Sequence, residues 1–507
     1  MRIAILNWRD FRHPEAGGAE LYCHEVAREL AADGHRVVLV TSRPERTWEH
    51  ENRDGYAIVR RGGRFSVYPA VLWWLLVHRN RVDAVIDSQN GIPFFAPLAV
   101  RRRTAVVLLM HHVHQDQFGL YFGRLGAAVG RRLESTVARR VYGHRPVAAV
   151  SPSTRTAVRR RLRFRGPIRL APCGLPPELP ADRARSATPR IVTVGRLVPH
   201  KQLRLLIDAM PVVSAAVPDV ELHLVGDGPE RPFLEALAAV RGVSERVVFH
   251  GRVPDTVRDD LLRSAWLTVN PTRGEGWGLS VMEANRHGVP TVALRVDGIR
   301  DSVVDGVTGW LVDTPDELGP AIAGALTTLA DPVENHRWEA ATRGWSARFT
   351  WRRTAEHLTA MLRQELARRE QAVDRRSVST DLATVIEVPA AAVGEWSPRL
   401  RDGDLVRATP TGFQLLLHGI DHEEVPALLD RLGVAGSDED QPVIVSVAGP
   451  QEVLMMSAGA DWETGTEPLR YPMAVGAEDD VIAMPVPHTP DEGTSDRDAW
   501  QHRHHRP

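Results

Sequence analysis

One lysine stands among 62 arginines in this 507-residue chain, so the position that kept it asks for an ammonium rather than a guanidinium. Lys201 closes the run Val194-Gly195-Arg196-Leu197-Val198-Pro199-His200-Lys201, in which a strand is expected to end at Gly195 and a helix to begin near Lys201. A cation at a helix N-terminus opposes the macrodipole and is locally unfavourable unless an anion lies beside it. A compact ammonium next to Arg196 suits a diphosphate approached by a point charge instead of a rigid fork. The bland alternative is an exposed lysine that survived compositional pressure.

A second run, Arg273-Gly274-Glu275-Gly276-Trp277-Gly278-Leu279-Ser280-Val281-Met282-Glu283, leads through glycines into a helix. Glycine lets backbone amides approach a ligand, and the N-terminus of a helix starting near Leu279 is a ready anion site. Glu275 on the loop and Glu283 about one turn into the helix are expected to border one pocket. A carboxylate accepts two hydroxyls at once, as a ribose diol or a sugar requires. Two glutamates also fit a glycosidase pair, but a hydrolase has no use for Arg196 and Lys201. His111-His112-Val113-His114 follows a buried strand. His112 and His114 share a face without a third ligand at metal spacing. Partly exposed turn histidines are the plainer expectation, and no metal site is expected.

These motifs need strands to hold them. Short apolar runs at 3–6, 37–40, 84–86, 105–110 and 147–150 alternate with helical stripes such as Val26, Ala27, Leu30 and Ala31. That pattern predicts a parallel sheet covered on both faces. Proline-rich residues 175–189 read as a linker. A second alternating unit follows, with strands at 191–194, 221–225, 247–250, 267–270 and 290–294. The expected class is α/β: two Rossmann-like, doubly wound domains, 1–180 and 186–345, facing a cleft that takes ligand at the strand ends. A long polar helix lies within 346–372. Residues 373–507 are expected to form a small α+β extension with strands at 413–417 and 443–447, a helix near 423–432 and about 20 disordered residues at the end.

The net charge of −1 hides a dipole: residues 1–185 carry +15, 186–350 carry −4 and 351–507 carry −12. An arginine-rich first third is drawn to anionic surfaces. Arg124, Arg131, Arg132, Arg139, Arg140 and Arg145 punctuate a helical pattern containing Leu125, Val129, Leu133 and Val137, and a second cluster runs through 159–165. Such interleaving fits peripheral contact with anionic lipid; a solvated basic face fits equally. No nucleic-acid recognition module is visible, so nucleic acid is not an expected partner. Cys23 and Cys173 cannot build a disulfide framework. The apolar start is too short for a signal peptide, and the most apolar stretch, 71–77, is far short of the ~20 residues of a membrane span. A cytoplasmic location, peripheral to the membrane at most, is expected.

Taken in order, Gly17-Gly18-Ala19-Glu20, Gly195-Arg196 with Lys201, Gly226-Asp227-Gly228-Pro229-Glu230 and Glu275-x7-Glu283 closely resemble the family 4 retaining glycosyltransferases of GT-B fold, over residues 1–370. The resemblance implies that Arg196 and Lys201 hold a donor's diphosphate and that Glu283 binds the ribose. It assigns sugar and phosphate contacts to Glu275 and the amides of Gly276, Trp277, Gly278 and Leu279. Gly17 and Gly18 would turn amides toward the phosphate or acceptor, and the backbone near Arg252-Val253 would meet the base. A histidine belongs near the reacting sugar: by position His111 first, then His112 and His114. The resemblance further implies retention of configuration, no metal and no cofactor beyond the nucleotide-diphosphate sugar. The implied acceptor is a sugar or lipid-linked hydroxyl, in cell-envelope polysaccharide or glycolipid synthesis. A nucleotide-sugar epimerase of the same fold stays open, as does a silent sugar-nucleotide-binding protein regulated by its acidic tail. The tail faintly resembles a degenerate nucleotidyl-cyclase-type domain with its acidic signature replaced by Thr409-Pro410-Thr411-Gly412-Phe413. An acidic interaction module is the plainer expectation.

Overall fold

Apolar, β-branched runs between helical stripes become strands, and their order decides where a ligand can sit. The computed structural model describes residues 1–13, 16–177 and 185–371, together with strands at 383–389, 405–409, 412–418 and 443–448. The chain divides into two compact units, Met1–Val378 and Ser379–Pro507.

In the N-terminal half, β1 (Arg2–Leu6), β2 (Arg36–Thr41), β3 (His50–Arg53), β4 (Tyr56–Arg60), β5 (Ala84–Asn90), β6 (Ala105–His112), β7 (Val147–Ala149) and β8 (Ile168–Leu170) form one sheet. Its order is β3-β4-β2-β1-β5-β6-β7-β8, with every pair parallel except β3–β4. Leu6, Val85, Val106 and Leu108 lie in the core on this sheet. The sequence pattern overlooks β4 because it ends in a charge. Arg60 is wholly buried there, answered by Asp10 at 2.6 Å and Glu51 at 2.8 Å.

The following half builds β9 (Arg190–Val194), β10 (Glu221–Val225), β11 (Val247–Gly251), β12 (Thr268–Asn270), β13 (Thr291–Leu294) and β14 (Gly309–Val312). They form the ladders β11-β10-β9 and β12-β13-β14, joined by a parallel bridge between Ile191 and Leu267. Strand order therefore reverses between β9 and β12, as it does between β1 and β5 in the first domain. Crevices open at such reversals, beyond the carboxyl ends of the strands.

After the helix Pro332–Ser346 the chain turns back, and the helix Trp351–Gln371 packs on β6 and on the helix Gly18–Ala32 of the first domain. Trp351, Ala355, Leu358 and Leu362 are buried there. The turn is pinned by Leu175 N donating to Phe349 O (2.9 Å) and Thr354 Oγ1 donating to Pro172 O (2.7 Å). The arginine-rich helix runs as Arg124–Arg132, a π turn at Leu133–Val137, and Ala138–Tyr142. Residues 178–184 of the expected linker fall outside the described residues.

The second unit contains β15 (Ala383–Pro389), β16 (Leu405–Thr409), β17 (Gly412–His418) and β18 (Val443–Ala448), an antiparallel sheet in the order β16-β17-β15-β18. The expected helix near 423–432 and the closing residues lie outside the described residues.

Candidate active site

The reversal between β9 and β12 is where the two motifs meet. β9 ends at Val194, and Gly195 N is held by Val225 O (2.9 Å). The chain then makes a 3-10 turn, Pro199–Lys201, so Lys201 sits just before the helix Leu203–Ala216 rather than within its first turn. The loop after β12 is tied to this turn: Thr272 Oγ1 and Arg273 N both donate to His200 O, at 3.1 and 3.0 Å. Glu275 N donates to Asp297 O at 3.0 Å. The result is an ion pair between Lys201 Nζ and the Glu275 carboxylate, both side chains mostly buried. Thr193, Gly195, Arg196, Lys201, Asn270 and Pro271 line a narrow crevice beside it. Arg196 stands exposed at its mouth.

Burial works to raise the Glu275 carboxyl. The Lys201 ammonium, through charge and hydrogen bond, outweighs it with help from His200 and His112, and the group is held below the ordinary carboxylate range. Burial pushes His111 and His112 down to about 3, with His114 adding to it in both cases, and takes His200 to about 4. Glu275 is an anion, and these three imidazoles are neutral near pH 7.

The histidines divide their work. His111 faces inward: its Nε2 lies 2.8 Å from Ser88 Oγ, and its ring meets the edge of Tyr22 at 5.2 Å. His112 is the ring that meets the Glu275 charge and backbone. His114 N donates to Glu134 Oε1 at 2.7 Å. So the structure brings His112 to Glu275 and places His111, the first choice by position, one layer behind. The alternation of a strand explains it, since adjacent residues point to opposite faces.

Glu283 belongs to a second cluster. Gly278, at φ +83°, turns the loop into the helix Leu279–Arg286, and Glu283 lies 3.9 Å from Arg258. Burial raises its carboxyl, Arg258 opposes that, and Asp259 and Asp255 add to the rise. Glu275 and Glu283, expected at one pocket, thus answer to separate cations. Arg252 and Val253 connect β11 to the helix Asp255–Ser264, which carries Arg258 and Asp259. Arg252 is exposed, and Val253 packs on the cluster containing Val192 and Val225.

The first domain closes on this loop. A Cβ on Gly276 would lie 2.0 Å from the His111 carbonyl oxygen, and one on Gly18 would lie 3.7 Å from Leu279. Gly17 N is capped by Glu20 Oε2 (2.7 Å) at the start of the helix Gly18–Ala32. Across the same boundary Ser153 N donates to Asp301 Oδ2 (2.9 Å), Arg300 Nε to Ser153 Oγ (3.1 Å), and Thr154 Oγ1 to Gly276 O (3.3 Å). Trp277 turns away and packs on Phe349, so it can offer the crevice only backbone.

Sequence reasoning did not single out Ser88, Glu134, Arg258 or Asp301. Glu134 is a wholly buried acid in the π turn, and Ser88 lies in a strand recognised only through residue 86. No local spacing announces either, because their partners are 19 or more residues away. With His111, His112 and His200 neutral, kcat/KM is expected to show no ionisation of these imidazoles near the usual pKa of about 6.5. A pH–rate profile between about pH 5.5 and 8 checks this, and a limb near 6.5 that vanishes in His112→Asn would contradict it.

Comparison with known proteins agrees with the geometry. A family model described as glycosyltransferase family 4 matches residues 16–179, and one described as glycosyl transferases group 1 matches 188–331. A GDP-mannose-dependent alpha-(1-6)-phosphatidylinositol monomannoside mannosyltransferase of Mycolicibacterium smegmatis is 32% identical over 388 residues, covering 69% of this chain and 95% of that protein. A D-inositol 3-phosphate glycosyltransferase of Acidothermus cellulolyticus is 27% identical over 425 residues, covering 72% and 89%. Among solved structures, sucrose-phosphate synthase from Thermosynechococcus elongatus superposes with a TM-score of 0.59 at 22% identity, over 72% of this chain and 99% of that one. The fold is GT-B.

Proposed function

The chain belongs to the family 4 glycosyltransferases, and from that premise we propose that it moves a hexose with retention of configuration from a nucleotide-diphosphate donor to a hydroxyl. The observation that carries the reading is the Lys201–Glu275 pair beside Arg196, at the point where strand order reverses. Arg196 and Lys201 receive the diphosphate with the amides of 276–279, Glu283 takes the ribose, and the base lies along Arg252-Val253. As the bond from the anomeric carbon to the phosphate oxygen breaks, negative charge grows on the leaving group. Preorganised cations stabilise it there, and losing one such donor typically costs about 10²–10³ in rate.

The acceptor oxygen then bonds to the anomeric carbon on the same face, and its proton passes to the departing phosphate. Glu275 is committed to Lys201, which supports front-face displacement over a covalent glycosyl intermediate. The two cations supply the charge that a metal would otherwise bring, so no dedicated metal or further cofactor belongs to the proposal. The named relatives, acting on a phosphatidylinositol monomannoside and on inositol 3-phosphate, support a role in cell-envelope glycolipid or polysaccharide synthesis.

Incubating the full chain with a panel of nucleotide sugars, with and without acceptor hydroxyls, tests this. Acceptor-dependent nucleotide release giving a product of unchanged anomeric configuration by NMR is expected. An inverted product sinks retention, and sugar conversion without acceptor points to an epimerase. Binding without turnover leaves a silent binder.

The same proposal places the enzyme at an anionic membrane surface. Leu125 is 82% exposed on the helix that also carries Arg124, Arg131 and Arg132, and Phe122 and Val129 are exposed beside it. Basic residues flanking exposed apolar ones fit the lipid interface. Among the described residues no helix is long and apolar enough to cross a membrane. Sedimentation with vesicles should recover more protein when anionic lipid is present, and equal recovery removes the lipid argument.

A further inference from the structure

β6 ends at His112, and the loop beyond it has to keep that imidazole against Glu275. The grip on this loop comes from the arginine-rich helix, at its π turn Leu133–Val137. Glu134, wholly buried in that turn, sends both carboxylate oxygens to the loop. Its Oε1 accepts from His114 N at 2.7 Å, and its Oε2 accepts from Gln115 Nε2 at 2.6 Å. Gln115 Nε2 also donates to Arg131 O (3.2 Å) on the same helix. His114 is tied to His112 in turn: its Nδ1 donates to His112 O at 2.9 Å, and the two rings meet edge to face at 5.3 Å. Contacts thus run from Glu134 through His114 and His112 to Glu275.

Helix geometry shows what placing Glu134 there requires. Gly130, Glu134, Ala138 and Tyr142 are buried at intervals of four. From Gly130 to Tyr142 an ideal α-helix would drift about 120° away from one face. A π turn adds one residue to one turn, about 100° of rotation, and brings these positions back into line. Such turns are frequent at functional sites. Gly130 draws the loop in as well, since a Cβ there would lie 2.6 Å from Phe118 Cδ1. Stability alone does not call for an acid at this position. A buried carboxylate is costly unless hydrogen-bonded, and an apolar side chain of similar volume avoids that cost.

We propose that Glu134 is a positioning residue for the transfer step, acting through His114 and Gln115 to hold the His112 imidazole against Glu275. The proposal rests on the transferase reading for the place of the sugar. The charged and titratable groups facing His112 are His114 on its own loop, Glu275 on the loop after β12, and Arg161 at the end of the helix Pro152–Arg160. Arg161 also donates to Asp116 of the histidine loop at 2.8 Å. Burial is the main cause that keeps His112 neutral. A loop released by Glu134 admits water, and the imidazole then moves up toward its ordinary range.

Three variants of the full chain test this. Glu134→Ala removes both bonds, Glu134→Gln keeps the shape and one acceptor, and Gln115→Ala deletes one bond without touching the helix. Nucleotide affinity is measured by calorimetry, and kcat and KM by donor turnover with an acceptor. The His112 titration is followed by NMR of ring-labelled histidine, assigned with His112→Asn. Glu134→Ala is expected to lower kcat by about 10²-fold, the scale of a misplacement of about 1 Å, with nucleotide affinity unchanged. Glu134→Gln and Gln115→Ala should fall between it and the wild type. In all three the His112 titration should rise from about 3 by about one pH unit or more. Wild-type kcat in Glu134→Gln and Gln115→Ala overturns the proposal, whatever the Tm does. Nucleotide affinity that falls in step with kcat overturns it too, as does a His112 titration that stays in place. The titration needs no turnover: a chain that transfers no sugar loses the transferase reading, while the His112 shift still decides whether Glu134 holds this imidazole.

Discussion

Lys201→Ala is expected to lower sugar transfer by about 10²–10³-fold or more, because it removes a preorganised cation from the leaving diphosphate. The same change has a second, measurable face. In the wild type Glu275 is held below the ordinary carboxylate range, chiefly by Lys201 working against burial. A depressed folded-state pKa contributes stability that is present above the unfolded carboxyl value and is lost as pH falls through the folded value. Without Lys201 the largest opposition to burial is gone and the carboxyl rises. Burying its charged form then costs stability at neutral pH, and protonation relieves that cost. The Tm gap between variant and wild type should therefore narrow as pH drops from about 7 toward about 4. A variant with wild-type turnover would sink the clamp assignment. A Tm gap that widens on acidification would sink the electrostatic account of Glu275. Lys201→Arg keeps the charge and loses the compact ammonium, so partial activity is expected from it.

Gly276→Val should cripple transfer while leaving the donor crevice largely able to bind nucleotide. The position has no room for a side chain, since a Cβ would meet the His111 carbonyl oxygen at 2.0 Å. The obstacle is main chain rather than the end of a flexible side chain, so no change of rotamer relieves it. The substituted loop must hold the domains apart, and a displacement of about 1 Å at a reacting centre can cost 10²-fold. Arg196, Lys201 and Glu283 all stand on the second domain, so nucleotide affinity measured by calorimetry should change little beside kcat. Equal losses in both would mean that the loop itself has collapsed. Asp301→Ala, which removes the acceptor for Ser153 N at the same boundary, should act in the same direction and more weakly.

The alternation of apolar runs with helical stripes made most of the buried strands legible, because β1, β5, β6, β9 and β10 are covered on both faces and carry no competing signal. β3, β4, β8 and β14 were not legible. They are three to five residues long, and β4 ends in an arginine whose burial makes sense only once Asp10 and Glu51 are beside it. Lys201 and Glu275 could be read from residue type and loop composition, 74 positions apart, since each lies in the connection that follows a strand, with glycine earlier in it or around it. Which histidine meets Glu275 could not. That depends on strand facing at the last two residues of β6, where a one-residue shift exchanges inside for outside. Arg258 as the partner of Glu283 was equally hidden, because it comes from a different helix.

The returning helix carries a lesson for anyone who would exchange parts between such enzymes. Trp351, Ala355, Leu358 and Leu362 are cut off from solvent by β6 and the helix Gly18–Ala32, although nearly two hundred residues separate them from the end of the first sheet. The acceptor-side half is thus a split object, its wall supplied from beyond the donor half. A chimera joined once, in the proline-rich stretch after Leu175, would graft a foreign wall onto a native sheet. One joined twice, there and again before Trp351, inserts the donor half as a cassette and keeps the wall with the sheet that shaped it.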